Sequence, residues 1–193
     1  MIQSKLTLEA SEGGEKQILL HTCCAPCSSA IVEYLLAHGE RPTLFYYNPN
    51  IFPVEEYHKR KSESIRHAQM LELHFVDADY NHEEWLKSVQ GMEREPERGA
   101  RCAVCFKLRL EVTALYAAEN GYKVFATTLA ASRWKDLQQI KEAGESAAAL
   151  FPNLIFRAQN WRKGGLSERR NELIRAYNFY NQSYCGCEYS KRF

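Results

Sequence analysis

The 193-residue chain has no run approaching the roughly 20 consecutive apolar residues of a membrane-spanning helix, so a helical membrane protein is not expected. Its first stretch, MIQSKLTLEASEGGEKQ, lacks the apolar core of a secretory signal. The expected compartment is therefore the cytoplasm, where structural disulfides are uncommon. An excess of one charge is lacking too. Lys and Arg number 25 against 24 Asp and Glu, a net charge of +1, so the total argues neither for nor against a nucleic-acid partner. There is no internal repeat, low-complexity tract or linker-like segment, and 45% hydrophobic residues is ordinary for a globular chain. No glycine occurs between Ile18 and His38. A nucleotide-binding α/β fold normally carries a glycine-rich phosphate loop after its first strand, so ATP use at that loop is not expected.

In place of glycines the chain reads HTCCAPCSS, residues 21 to 29. All seven cysteines fall in three tight clusters: Cys23, Cys24 and Cys27; Cys102 and Cys105; Cys185 and Cys187. An odd count and such spacing fit metal ligation or redox chemistry better than a disulfide framework. An iron–sulfur site, a zinc site and a metal-free dithiol able to form a disulfide all remain open on spacing alone. Cys27 and Cys102 fall near expected helix starts, where free N–H groups should lower a thiol pKa.

Apolar patterning predicts strands near residues 17–22, 42–48, 73–78, 122–128 and 153–158. Helices are predicted from Ser28 to Gly39, after Pro53, and over residues 82–90, 102–120, 134–149 and 167–180. This alternation predicts an α/β fold, a mostly parallel sheet covered on both faces. One domain over residues 1–193 is expected, with 1–16 a flexible extension and 181–193 a cysteine-bearing tail that folds back on the site. In the helix beginning near Cys102, Cys102 and Cys105 share a face with Leu108, Val112 and Leu115, and that face is expected to turn toward the core. Ligands of open parallel sheets bind at the carboxyl ends of strands. The segments after strands one, two and four, and the folded-back tail, should therefore meet at one edge.

The blocks LLHTCCAPCS, YYNPNIFPVEEYHKR, RCAVCFKLRL, FATTLAASRWKD and YCGC, in that order, resemble the cobalamin-independent epoxyqueuosine reductase family. The resemblance implies a single Rossmann-like domain of the adenine-nucleotide-α-hydrolase kind (HUP topology), shared with tRNA-thiolating enzymes. It implies reduction of epoxyqueuosine to queuosine at the tRNA wobble position. It implies a 4Fe-4S cluster and, for some members, an additional metal ion, iron, beside it. Carried residue by residue, it implies metal binding by Cys23, Cys24, Cys102, Cys105, Cys185 and Cys187. Cys27 is the seventh candidate ligand, at a position where Asp is sometimes found in the family.

Turning an epoxide into an alkene releases its oxygen as water and consumes two electrons and two protons. An iron–sulfur cluster passes electrons singly, and a second metal can polarise the epoxide oxygen. Candidate proton donors are His21, Tyr57 or a bound water. The alternative for His21 is a hydrogen-bonded core histidine, and for Tyr57 and Arg60 a solvated helix face. Candidate substrate-binding residues are Arg60, Arg133, Trp134, Arg162 and Lys163. Residues 157–175 are strongly basic and 72–97 strongly acidic, so the molecule is polarised. Trp134 and Trp161 are each either a base-stacking platform or a core residue. The expected partners are tRNA carrying epoxyqueuosine and an unidentified electron donor, with no membrane and no DNA. A zinc-stabilised RNA-binding module, a heterodisulfide-reductase-like electron carrier and a tRNA sulfurtransferase are the competing readings.

Overall fold

The computed structural model describes residues 16–190. The expected extension at 1–16 falls, but for residue 16, outside the described residues, as do the last three residues of the tail. The described residues form five strands, β1 (Lys16–His21), β2 (Glu40–Tyr46), β3 (Phe75–Asp77), β4 (Val124–Thr127) and β5 (Ile155–Phe156). Six α-helices connect and follow them: α1 (Ala25–Ala37), α2 (Val54–Met70), α3 (His82–Ser88), α4 (Ala100–Glu119), α5 (Leu137–Ala148) and α6 (Leu166–Ala176). All strand pairs are parallel, in the order β3-β2-β1-β4-β5. The fold is α/β, as the alternation implied.

Alternation within β1 explains the layering. Ile18 and Leu20 pack with Leu44, Ala126 and α1, while Leu19 packs with Phe45, Phe125 and residues of α4 and α5. Successive strand side chains point to opposite faces, and here both faces are covered, so β1 reads as a continuous apolar run. The chain moves outward from β1 through β2 to β3, then returns to place β4 on the other side of β1. Strand order reverses between β1 and β4. This is the switch point at which open parallel sheets bind ligands beyond the strand ends.

Helix boundaries depart from the expected ones for local reasons. α1 begins at Ala25, earlier than Ser28, because the Cys24 carbonyl already accepts from the N–H groups of Cys27 and Ser28. Pro26 needs no N–H partner in that first turn. Gly39, φ +71°, reverses the chain just after α1. α5 begins at Leu137, not 134, because the Asp136 carboxylate caps the N–H groups of Gln138 and Gln139 at 2.8 and 2.9 Å. That leaves Trp134 in a turn. Among the described residues no helix is long and apolar enough to cross a membrane.

Candidate metal centre and cleft

β1 delivers its cysteines directly to the switch point. The sulfurs of Cys23, Cys24 and Cys27 all lie within 4.8 Å of one another, and all three residues are buried. The Thr128 hydroxyl donates to the Cys23 sulfur at 3.6 Å, and the Gln182 amide donates to the Cys24 sulfur at 2.8 Å. Cys23 is held well below the usual thiol range by S–H donation from Cys24 and Cys27. Burial pushes Cys24 well above it, and Cys27 rises to about 11 through its hydrogen bond to Cys23.

A second set comes from α4 and the tail. Cys102 packs against the buried cluster that contains Cys23, Cys24 and Cys27. Cys105 and Cys187 share a smaller cluster with Trp85 and Val89. Burial raises both Cys102 and Cys105, and the Cys185 sulfur adds to each shift. Cys187 is pushed up to about 12, again chiefly by burial. The tail is fixed by Arg60, whose Nη1 and Nη2 donate to the carbonyls of Cys185 and Tyr184 at 3.0 and 3.3 Å. The Phe52 N–H donates to the Gly186 carbonyl at 2.9 Å. The three cysteine segments thus reach one edge of the sheet, and all seven thiols are free.

Helix starts were expected to lower the thiol pKa at Cys27 and Cys102, and the structure corrects this. Both occupy first turns, yet both thiols are raised. Desolvation outweighs the helix-end field at Cys102, and a hydrogen bond to the more acidic Cys23 does so at Cys27.

A buried arginine and a half-buried lysine lie beside these thiols. Arg109, 1% exposed, lies on α4 one turn beyond Cys105, donates to the Asn48 side chain and leaves its Nε unpartnered. Among the described residues it has no carboxylate partner. Lys135 sits beside both sets. Burial pulls its ammonium down, but Cys185, Cys23 and Cys27 together push it up. A cleft of about 430 Å³ opens above, with Cys23, Cys27 and Cys185 contributing to its lining and Lys135, Arg133 and Arg170 among its walls. Thiols that carry negative charge, free or metal-bound, would satisfy cations that no carboxylate meets.

The expected site residues divide. Arg60 lines the cleft, as do Arg133, Trp134 and Arg162. Trp134 is 60% exposed, with the Arg133 guanidinium 4.7 Å from its ring centroid. Trp161 is a core residue whose indole N–H donates to the Thr127 carbonyl at 3.1 Å. Arg162 donates to the Ser132 carbonyl and, at 2.7 Å, to that of Lys135, so it braces the 132–135 turn. Lys163 is exposed and stands outside the cleft lining.

His21 is fully buried between β2 and β4. Its Nε2–H donates to the Tyr47 carbonyl at 3.1 Å, and its Nδ1 accepts from the Thr127 hydroxyl at 2.8 Å. Burial drives its pKa down to about 3, so the ring is neutral with both nitrogens engaged. Tyr57 and Arg60 are buried, not on a solvated helix face. Tyr57 packs with Tyr46 and Ile51 away from the cleft lining, and burial pushes its hydroxyl up.

The α4 face was also misplaced by its pattern. Leu115 is 43% exposed and Leu108 and Val112 only half-buried, while Arg101, Cys105 and Arg109 turn inward with Phe106 and Leu110. A face with two arginines reads as solvated in a sequence. Arg109 was missed for that reason, and Lys135 and Gln182 were missed because they lie in irregular segments with no periodic signal. The one available signal was position: Arg109 follows Cys105 by one helical turn, and Lys135 lies in the loop after β4.

Fold and site together define a parallel α/β protein with a buried cysteine cluster suited to metal, under a cation-walled cleft at the sheet's switch point. The profile of the family described as Epoxyqueuosine reductase QueH matches residues 18–193. The chain is 46% identical over 192 residues to the protein of that name from Acinetobacter baylyi, covering 100% of this chain and 88% of that one. It is 47% identical over 191 residues to that of Haemophilus influenzae, covering 99% and 77%. The Thermotoga maritima protein of that name is 34% identical over 176 residues, covering 90% and 89%. The chain belongs to the epoxyqueuosine reductase QueH family.

Proposed function

We propose that this protein reduces the epoxide of epoxyqueuosine to the alkene of queuosine at the wobble position of tRNA, in the bacterial cytoplasm. The observation that carries the reading is the meeting of three cysteine segments beneath a cation-walled cleft. The donor set fits a 4Fe-4S cluster with an additional iron: seven thiols at one edge exceed what a single tetrahedral metal takes. Cys23, Cys24, Cys27, Cys102, Cys105, Cys185 and Cys187 are the proposed ligands, and Arg109 and Lys135 offset their negative charge. The strand order 3-2-1-4-5 supports an adenine-nucleotide-α-hydrolase-like topology, within one domain that includes the tail. When bound, such a centre supplies electrons one at a time and a Lewis-acidic site.

The chain's own groups then have distinct tasks. Trp134, backed by Arg133, stacks on a base extruded from the anticodon loop. Arg162 holds the turn that carries Trp134 and Lys135. Arg60 holds the tail, and Lys135 presents an ammonium N–H toward the oxygen that leaves as water. His21, with both nitrogens engaged, ties the end of β1 to β4 and leaves proton donation to the cleft. Tyr57 shapes the support of the tail from below. Lys163 contributes to the phosphate-facing surface outside the cleft. The reading is tested by incubating anaerobically reconstituted protein with epoxyqueuosine-containing tRNA and dithionite. Conversion to a nucleoside lighter by one oxygen supports it. Iron- and sulfide-loaded protein that yields no such nucleoside contradicts it.

A further inference from the structure

A second surface lies beside the cleft and shares no lining residue with it. Phe52 and Val54, 41% and 39% exposed, form an apolar patch with Tyr80 and His82, and Glu55 and Glu83 line the same groove. Glu188 lies 3.5 Å from His82, and both Glu188 and Glu55 act electrostatically on Tyr80. The patch is therefore apolar with an acidic rim, which repels RNA phosphates and attracts a cationic partner.

From this patch a stack of rings runs inward. Phe52 and His82 are 5.4 Å apart between centroids at 20°, and His82 and Trp85 are 5.6 Å apart at 17°. Trp85 is fully buried and shares a packed cluster with Cys105 and Cys187, and its indole N–H has no hydrogen-bond partner among the described residues. A continuous π-stack thus joins the surface to the second set of thiols.

We propose that this patch docks the electron donor, a one-electron carrier protein with a basic docking face, and that electrons pass through Phe52, His82 and Trp85 to the centre at Cys105 and Cys187. The inference rests on the function proposed above. Each encounter oxidises the carrier by one electron. Two encounters supply the two electrons that, with two protons from solvent, break both epoxide C–O bonds and release water. With RNA over the cleft, this side remains open to the carrier.

The test is stopped-flow bleaching of the reconstituted centre with methyl viologen radical cation as a stand-in for the basic face. The Glu55→Gln/Glu83→Gln double variant should bleach roughly tenfold more slowly at low salt, the order of effect that removing steering charges produces. Phe52→Ala and Trp85→Leu should also slow bleaching at unchanged iron content. A saturating anticodon stem-loop RNA should leave the wild-type rate unchanged, as should the double variant the rate of tRNA turnover driven by anionic dithionite. Bleaching that ignores the surface variants, or that RNA blocks, overturns the inference while the reductase reading stands. A reconstituted chain that holds no iron and sulfide overturns both.

Discussion

Burying a charge without a partner costs several kcal/mol, and Arg109 bears that cost at 1% exposure with an unpartnered Nε. Its charge acts on the Cys105 and Cys23 thiols and favours their ionised forms. Trp134 stands at the other extreme, exposed and held by its Arg133 neighbour. Trp134→Ala should weaken anticodon stem-loop binding by about 1–3 kcal/mol, with Trp134→Phe recovering most of it. Fluorescence anisotropy at fixed salt, on protein of equal metal content, checks this. His67 offers a pH test away from the metal centre. It is buried against Phe179 with an unpartnered Nδ1, and burial lowers its pKa to about 4. Below its ordinary pKa of about 6.5 the unfolded chain takes up a proton that the folded one refuses. Its contribution to stability is thus present above about pH 6.5 and falls as pH drops toward 4, by about 1.4 kcal/mol per unit. His67→Leu should flatten this dependence in thermal melts at pH 7 and pH 5.

Among the elements, the loops that close over the strand ends decide whether the site exists. Gly186 separates Cys185 from Cys187 with φ +115°, and a Cβ there would come within 3.0 Å of Arg60 Nη1 and Ile51 Cγ1. Gly186→Ala should displace the tail and reduce bound iron while leaving the circular dichroism of the α/β core intact. Arg162→Ala should loosen the 132–135 turn, because the lost contacts are to the carbonyls of Ser132 and Lys135. RNA affinity should fall with an unchanged salt slope, since no phosphate contact is removed. A slope reduced by about one would instead make Arg162 a phosphate ligand.

The same elements mark what the sequence could convey. Strands with both faces buried, such as β1, announce themselves as apolar runs, and the end of α1 follows from Gly39, whereas the Asp136 cap moved the start of α5 from the expected 134 to Leu137. Cysteine spacing pointed to a thiol-rich site suited to metal or redox chemistry, and the fold brings Cys23, Cys24 and Cys27 together. What stayed hidden were polar groups buried by tertiary contact. Arg109, Lys135 and Trp85 carry no periodic signature, and Arg101 and Arg109 made the inward face of α4 look solvated. The burial of Arg60 was hidden for the same reason, since the tail carbonyls it bonds are distant in the chain.

At the scale of the molecule, a near-neutral total conceals a division of labour. Cations wall the cleft at the switch point, while acidic residues rim the neighbouring apolar groove. Several arginines of the basic 157–175 stretch are spent internally: Arg157 pairs with Glu40 and Arg169 with Glu33, each at 2.7 Å. On the proposed function, RNA attraction falls to Arg133 and Arg170, which line the cleft. The proposed function requires that the seven thiols hold an iron–sulfur centre. Its most direct test is iron, acid-labile sulfide and zinc content of protein purified without oxygen, with an absorbance spectrum of the same sample. A brown protein with about four sulfide and about five iron per chain, four in the cluster and one beside it, is the predicted result. Colourless protein that holds stoichiometric zinc and no sulfide, even after anaerobic reconstitution, would contradict it.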